Sequence, residues 1–188
     1  RQASAIREGD PDALVTVGAI QWAIPYLLPS MPHYAAFRPS RQAEFLDFLS
    51  FHFYPLAEGM YQYEEAAARA ANLAYVEAIA REVAAPGKPV AVGEFGWYGG
   101  GSLPIRNGQR TRAATEQDQA EWCAGLIDAT RGLAAGWLNW GMYDQPEATD
   151  VSALTGLLTA DGAMKEWGRK FESLAAGVAL GATRAGAV

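Results

Sequence analysis

Apolar residues are concentrated in four short runs, which are separated by longer stretches of polar or helical pattern. Each run has the length of a strand and is bounded by glycine, proline or aspartate. The runs are Leu14–Ile20, Phe48–Tyr54, Val90–Glu94 and Gly136–Met142. Because apolar side chains continue through most positions of these runs, the pattern predicts strands of a parallel sheet that is buried on both faces.

Three stretches between and after these runs carry apolar residues at spacings of three and four, which predicts helices. They are Glu64–Ala84, Glu116–Leu133 and a last helix from about Ala163 to Leu174 or beyond. The first residues, Arg1–Glu8, have the pattern of a helix that ends at Gly9. Alternation of strand and helix predicts right-handed βαβ units in an α/β fold, with residues 1–188 as one structural unit.

The third run ends in a single acid, Glu94, and a glycine-rich loop follows it. A buried strand that ends in one carboxylate is typical of a side chain delivered to an open site. The alternative is a buried glutamate held by an arginine or a backbone cap. We expect Glu94 to take part in chemistry.

Polar and aromatic residues cluster at or just after the predicted strand ends: Trp22, His52, Tyr54, Glu94, Trp97, Asn139, Trp140, Tyr143 and Asp144. In a closed barrel these ends ring one pocket, where α/β proteins build their ligand sites. Aromatic rings with one carboxylate suit a sugar, whose C–H face stacks on a ring while its hydroxyls take hydrogen bonds. Core packing is the alternative for each aromatic residue taken singly, and His52 is equally well read as a core histidine.

Composition narrows the function further. The chain has 188 residues, 15 basic and 21 acidic side chains and a net charge of −6, with no lysine- or arginine-rich run. This excludes the basic surface of a nucleic-acid binder and the basic amphipathic helix of a membrane-surface protein. One cysteine, Cys123, and two histidines give no zinc-ligand spacing, so we expect no metal and no cofactor.

Three motifs resemble the sixth, seventh and eighth strands of retaining enzymes of glycoside hydrolase family 5, the cellulase and β-mannanase group of clan A. They are Phe51–Pro55, Val92–Gly96 and Trp137–Gly141. Asp10–Gly18 resembles the approach to the family's fifth strand, and Gly156–Gly162 the approach to its last helix. The resemblance covers nearly the whole chain and implies strands 5 to 8, four βα units, of a (β/α)8 TIM barrel.

The resemblance also implies roles for individual residues. Glu94 becomes the nucleophile that forms a glycosyl-enzyme intermediate, with Tyr54 as a hydrogen-bond donor to it and His52 as a neighbour that positions substrate. Trp140 becomes the platform beneath the sugar. Trp22, Trp97 and Asp144 are further candidates for substrate contact, the substrate being an oligosaccharide or polysaccharide. Secretion is suggested by the family alone.

The sequence departs from the family at the second carboxylate. A retaining glycosidase needs an acid/base about 5–5.5 Å from its nucleophile, and the family carries it in an Asn-Glu pair on its fourth strand. No Asn-Glu pair occurs in the 188 residues. A full barrel has eight strands and about 250 residues, so we expect a partner in the form of a missing N-terminal half-barrel, and an inactive chain without it.

Three alternatives stay open. Asp144 or Glu58 could replace the missing acid, although both residue types in such loops are more often caps. The chain could belong to a non-catalytic carbohydrate-binding barrel. It could also be a different α/β protein in which Glu94 serves as a metal ligand or a general base.

Overall fold

A computed structural model describes residues 1–20, 37–55, 66–104 and 109–185, without the side chains of residues 66–68 and 177–185. Its helices are α1 Gln2–Gly9, α2 Ala66–Ala84, α3 Glu116–Thr130 and α4 Glu166–Ala185. Its strands are β1 Gly18–Ile20, β2 Leu49–Phe53, β3 Val90–Phe95 and β4 Gly136–Asn139. Two short 3-10 helices cover Pro39–Phe45 and Val151–Ala153.

The four strands form one sheet in the order β1-β2-β3-β4, and they run parallel. Strands β1, β2 and β4 lie inside their apolar runs, and β3 extends one residue beyond its run, to Phe95. Sequential neighbours in a parallel sheet need a crossover connection, which α2 supplies between β2 and β3. The predicted α/β class and parallel sheet are therefore confirmed.

The chain divides into two compact units, of which the first comprises residues 1–95 and 126–138. Its core is made by the side chains of one face of β2 and β3 and by those of α2. Phe53 and Tyr75 meet edge to face, with ring centroids 5.2 Å apart. The fully or almost fully buried members are Leu49, Phe51, Phe53, Tyr75, Val76, Ile79, Val83, Val90, Val92 and Phe95.

The first strand is shorter than the predicted run Leu14–Ile20 because a side chain replaces part of the backbone ladder. The Asp47 carboxylate accepts a hydrogen bond from the Val15 backbone N–H at 2.7 Å and from Arg7 Nη2 at 2.8 Å. The Thr16 hydroxyl donates to the carbonyl of Phe48. Residues 15–16 thus lie beside Asp47 and Phe48, the two residues before β2, without regular strand pairing.

The ends of two other elements also differ from prediction. The fourth strand ends at Asn139 instead of Met142 because the chain turns at Gly141, which has a φ of +89°. Helix α3 ends at Thr130 instead of Leu133, because Gly132 takes a φ of +82°, which a helix does not continue through. Helix α4 runs from Glu166 to Ala185, in agreement with the predicted helix to Leu174 or beyond.

The second unit comprises residues 96–125 and 139–188. The segment after β3 forms antiparallel bridges between Gly101 and Ala114 and between Pro104 and Arg110. Helix α3 begins with a reciprocal cap, in which Thr115 N donates to Asp118 and Asp118 N donates to the Thr115 hydroxyl. In the part of the chain that the structure describes, no helix is both long and apolar enough to cross a membrane.

The Asp47 contacts generate a prediction about acid stability. The hydrogen bond from the Val15 N–H stabilises the ionised carboxylate most, and the Arg7 guanidinium adds to this effect. The pKa of Asp47 therefore lies below its ordinary value of 3.8. Its contribution to stability is fully present above the unfolded-state pKa and is lost as pH falls through the folded-state pKa. We expect Asp47→Asn to lower the free energy of unfolding at pH 7, and the deficit relative to the wild type to shrink below about pH 4.

Urea unfolding followed by far-ultraviolet circular dichroism between pH 7 and pH 2.5 measures this difference. The exposed change Asp12→Asn in the adjacent turn is the control. A deficit for Asp47→Asn that stays constant over the whole pH range would contradict the prediction.

Candidate active site

The structure brings three of the predicted site residues together at the carboxyl ends of β2 and β3. The Tyr54 hydroxyl donates to Glu94 Oε2 at 2.9 Å. His52 Nδ1 lies 3.3 Å from Glu94 Oε1. Both carboxylate oxygens of Glu94 therefore have a neighbour that can donate a hydrogen bond.

A β-bulge turns Glu94 toward these partners. Phe51 pairs with Val92, whereas His52 pairs with Glu94, so Gly93 is an extra residue in β3. In a regular strand Glu94 would share the face of Val92, which is packed in the core. The extra residue moves Glu94 to the opposite face, where His52 lies.

The imidazole of His52 occupies space that two glycines leave open. A Cβ atom added at Gly18 would lie 2.5 Å from His52 Nε2, and one at Gly93 would lie 3.3 Å from the same atom. Gly18 is on β1 and Gly93 on β3, so the ring lies across the backbones of both neighbouring strands. This close fit orients the Nδ1 edge toward Glu94.

Glu94 combines order with access. The side chain of Glu94 is 29% exposed and that of His52 is 24% exposed. Solvent and ligands can therefore reach the carboxylate while it contacts Tyr54 and His52. The hydrogen bond from Tyr54 at Oε2 and the imidazole of His52 beside Oε1 restrict the orientation of the carboxylate. Such a group can act as a nucleophile or as a base.

Trp97, which the sequence suggests as a further substrate contact, packs in the core of the second unit. Its side chain is 1% exposed, with ring centroids 4.7 Å from Tyr98 and 5.8 Å from Trp122. Trp97 lies three residues after Glu94 along the chain, but this proximity does not give the burial of its ring. Trp22 and Glu58 lie outside the described residues.

Trp140 lies in the second unit, one residue after the end of β4. Its side chain is 39% exposed, and its indole N–H donates to the Ser152 hydroxyl at 2.9 Å. No sequence pattern points to Ser152, because a serine in a loop carries no signal for a long-range partner.

Asp144 is buried and forms an ion pair with Lys165 in the second unit. Lys165 Nζ lies 2.9 Å from Asp144 Oδ1, and it also donates to the carbonyls of Gly99 and Leu154. The Gly156 N–H donates to the same carboxylate at 2.8 Å. Burial raises the pKa of Asp144, and the hydrogen bond and charge of Lys165 oppose that rise. The predicted role of Asp144 in substrate contact is not tested by these contacts, which link three segments of the unit.

No group of three or more histidine, cysteine or acidic side chains that could hold a metal ion occurs among residues 1–20, 37–55, 66–104 and 109–185.

The sequence matches the family model described as Cellulase (glycosyl hydrolase family 5) over residues 1–145. No curated protein matches the chain.

Solved structures with similar folds are carbohydrate-active enzymes. The glycoside hydrolase family 17 β-1,3-glucanosyltransferase of Rhizomucor miehei, as an active-site mutant in complex with laminaritriose, has a TM-score of 0.58 at 17% identity, over 88% of this chain and 54% of that one. The β-glucuronidase of Ruminococcus gnavus in complex with D-glucuronic acid has a TM-score of 0.61 at 16% identity, over 91% of this chain and 28% of that one.

The β-glucuronidase of Bifidobacterium dentium, complexed with coumarin-3-O-glucuronide, has a TM-score of 0.60 at 20% identity, over 94% of this chain and 26% of that one. At such identities the likeness concerns the fold, which is that of the TIM-barrel glycosidases. The chain spans between about a quarter and about half of the length of these three structures.

The close fit of His52 predicts the effect of a single methyl group. Gly18→Ala places a carbon 2.5 Å from His52 Nε2, closer than two unbonded atoms can approach, so the imidazole has to move. We expect the side-chain nitrogen resonances of His52 to shift in nuclear magnetic resonance spectra of the ¹⁵N-labelled protein, which has only one other histidine.

Gly9→Ala is the matched control, because a Cβ at Gly9 meets no atom within 4 Å. Unchanged His52 resonances in Gly18→Ala would refute the proposed steric coupling.

The buried ion pair predicts a second effect, on stability. Lys165→Met leaves the Asp144 carboxylate buried without its cation, which costs about 3–5 kcal/mol in other proteins. Combining Lys165→Met with Asp144→Asn removes the buried charge, and we expect it to restore part of that loss. The free energy of unfolding in urea measures both variants.

Lys170→Met, which changes an exposed lysine of α4 five residues further along the chain, is the control. A loss below about 1 kcal/mol for Lys165→Met, the range of exposed pairs, would show that the pair does not stabilise this unit.

Proposed function

The chain belongs to the cellulase family, glycosyl hydrolase family 5, and we propose that it supplies the nucleophile of a retaining β-glycoside hydrolase. The substrates are β-linked glucan, mannan or a related glycoside. The observation that carries the proposal is the contact of both Glu94 oxygens with Tyr54 and His52 at the ends of two parallel strands.

The reaction is a double displacement. The Glu94 carboxylate attacks the anomeric carbon and forms a glycosyl ester, while an acid/base residue donates a proton to the departing glycosidic oxygen. That same residue then takes a proton from water, whose oxygen attacks the anomeric carbon and releases Glu94. Tyr54 and His52 hold the carboxylate in one orientation for the attack.

We propose that the acid/base lies outside this chain, in the half-barrel with strands 1 to 4, and we call the two halves together the complete enzyme. The proposal rests on the absence of an Asn-Glu pair in the sequence and on the share of each related structure that the chain spans. Residues 1–188 then form the C-terminal half of a single catalytic domain.

Four residues are proposed as substrate contacts in addition to His52 and Tyr54. Trp140 offers an exposed ring for the C–H face of a sugar, and Trp22 keeps the role predicted from sequence. Trp97 and Asp144 also keep their predicted roles as substrate contacts. A sugar that contacts them would have to displace the core contacts of Trp97 and the ion pair of Asp144 with Lys165.

Replacing the nucleophile tests the reaction. In the complete enzyme we expect Glu94→Gln to reduce hydrolysis of 4-nitrophenyl β-cellobioside by about 10⁴-fold or more, as loss of a covalent nucleophile does elsewhere. Glu121→Gln, an exposed change on α3, should leave the rate unchanged. Binding of the sugar should survive in both variants.

A rescue experiment identifies the role of Glu94 in the step. In Glu94→Ala, azide can enter the space of the carboxylate and attack the anomeric carbon from the same side, with 4-nitrophenolate as leaving group. The product is then an α-glycosyl azide, since one displacement inverts the configuration. A β-glycosyl azide would assign Glu94 as the acid/base, and near-normal hydrolysis by Glu94→Gln would refute the mechanism.

Sugar binding without hydrolysis by the unaltered complete protein would favour a non-catalytic carbohydrate-binding barrel.

A further inference from the structure

Trp140 combines an exposed ring with a fixed polar edge. Its side chain is 39% exposed, although the indole N–H is engaged by the Ser152 hydroxyl at 2.9 Å. Ser152 is itself buried, at 8% exposure. The hydrogen bond therefore ties one edge of an accessible aromatic ring to a covered side chain.

Ser152 is held in place from both sides. Its backbone N–H donates to Asp150 Oδ1 at 2.8 Å, which caps the 3-10 helix Val151–Ala153. Its carbonyl accepts from the N–H of Gln145 at 3.1 Å. The hydroxyl that receives the indole N–H thus has a defined position.

The backbone on either side of Trp140 is fixed as well. The Asn139 side-chain amide donates to the carbonyls of Gly141 at 2.9 Å and Thr155 at 3.0 Å. The indole N–H of Trp167, which is fully buried, donates to Asn139 Oδ1 at 2.8 Å. Because these hydrogen bonds fix the backbone, the Trp140 side chain can move only by rotation about its two torsions. The hydrogen bond to Ser152 restricts that rotation.

We propose that Ser152 is a positioning residue that holds the Trp140 ring ready as a platform for the apolar face of a pyranose. The inference rests on the proposed function, because it assumes that Trp140 binds sugar. An aromatic ring that is already ordered loses less conformational entropy on binding than a free one. Removal of the hydroxyl therefore weakens sugar binding and leaves the chemistry of Glu94 untouched.

The test is a double-mutant cycle in the complete enzyme with Glu94→Gln in every variant, so that bound sugar is not hydrolysed. Calorimetry measures the binding of cellotriose, laminaritriose and mannotriose. We expect Ser152→Ala to raise the dissociation constant about threefold to tenfold and Ser152→Thr, which keeps the hydroxyl, to restore binding. In a Trp140→Phe background the effect of Ser152→Ala should vanish, because phenylalanine has no indole N–H to donate to Ser152.

A second readout separates positioning from general destabilisation. With Glu94 intact, Ser152→Ala should raise the KM for an oligosaccharide and leave kcat unchanged, and Ser173→Ala, an exposed serine of α4, should change neither. An equal effect of Ser152→Ala in both Trp140 backgrounds, or a loss confined to kcat, would overturn the inference.

Failure of the inference can be told apart from failure of the proposed function. If Trp140→Phe weakens binding and Glu94→Gln is inactive while Ser152→Ala changes nothing, the inference alone falls. If none of the three sugars binds, or if Trp140→Phe binds as the parent does, the platform role of Trp140 falls and the inference with it.

Discussion

The register between β2 and β3 is the constraint on which the candidate site depends. Side chains of paired residues in a sheet point to the same face, so the pairing of His52 with Glu94 places both on one side. That pairing exists because Gly93 is inserted between Val92 and Glu94. Without the insertion, the carboxylate would point into a core made of valine and phenylalanine side chains, where an ionised group is not stable. The bulge thus reconciles a strand that is buried on one face with an acid that must reach the other.

The sequence marks Glu94 as a candidate site residue but does not show how its side chain reaches Tyr54 and His52. The run of apolar residues, its length and the glycine after it are local signals, and the strand lies where they predict. The bulge is not a local signal, because a single glycine in a strand is compatible with regular pairing and with a bulge alike. It becomes visible only when the partner strand is known, as does the close fit of His52 between Gly18 and Gly93.

The same distinction explains the remaining differences between prediction and structure. The late start of β1 follows from a side chain, Asp47, that takes over a backbone hydrogen bond of Val15. The early end of β4 follows from the turn at Gly141, whose carbonyl accepts a hydrogen bond from the Asn139 side chain. Lys165 reaches the carbonyl of Gly99, which is 66 positions away. Periodicity reports which side chains are apolar, whereas these polar contacts depend on which distant segments the fold brings together. For this reason the sequence shows the candidate residues on β2 and β3 but not the polar network of the second unit.

Glu94 and Trp140 are positioned by different kinds of structure. Glu94 is held by a residue of β2 and a residue directly after it, and its geometry depends on strand register, which tolerates little change because a slip by one residue exchanges the two faces. Trp140 is held by a loop and a 3-10 helix, where Asn139, Ser152 and their neighbours form hydrogen bonds within their own unit. A loop can change length and sequence without disturbing a sheet. If Glu94 performs the chemistry and Trp140 binds sugar, then substrate preference can change through the loop while the reaction stays the same.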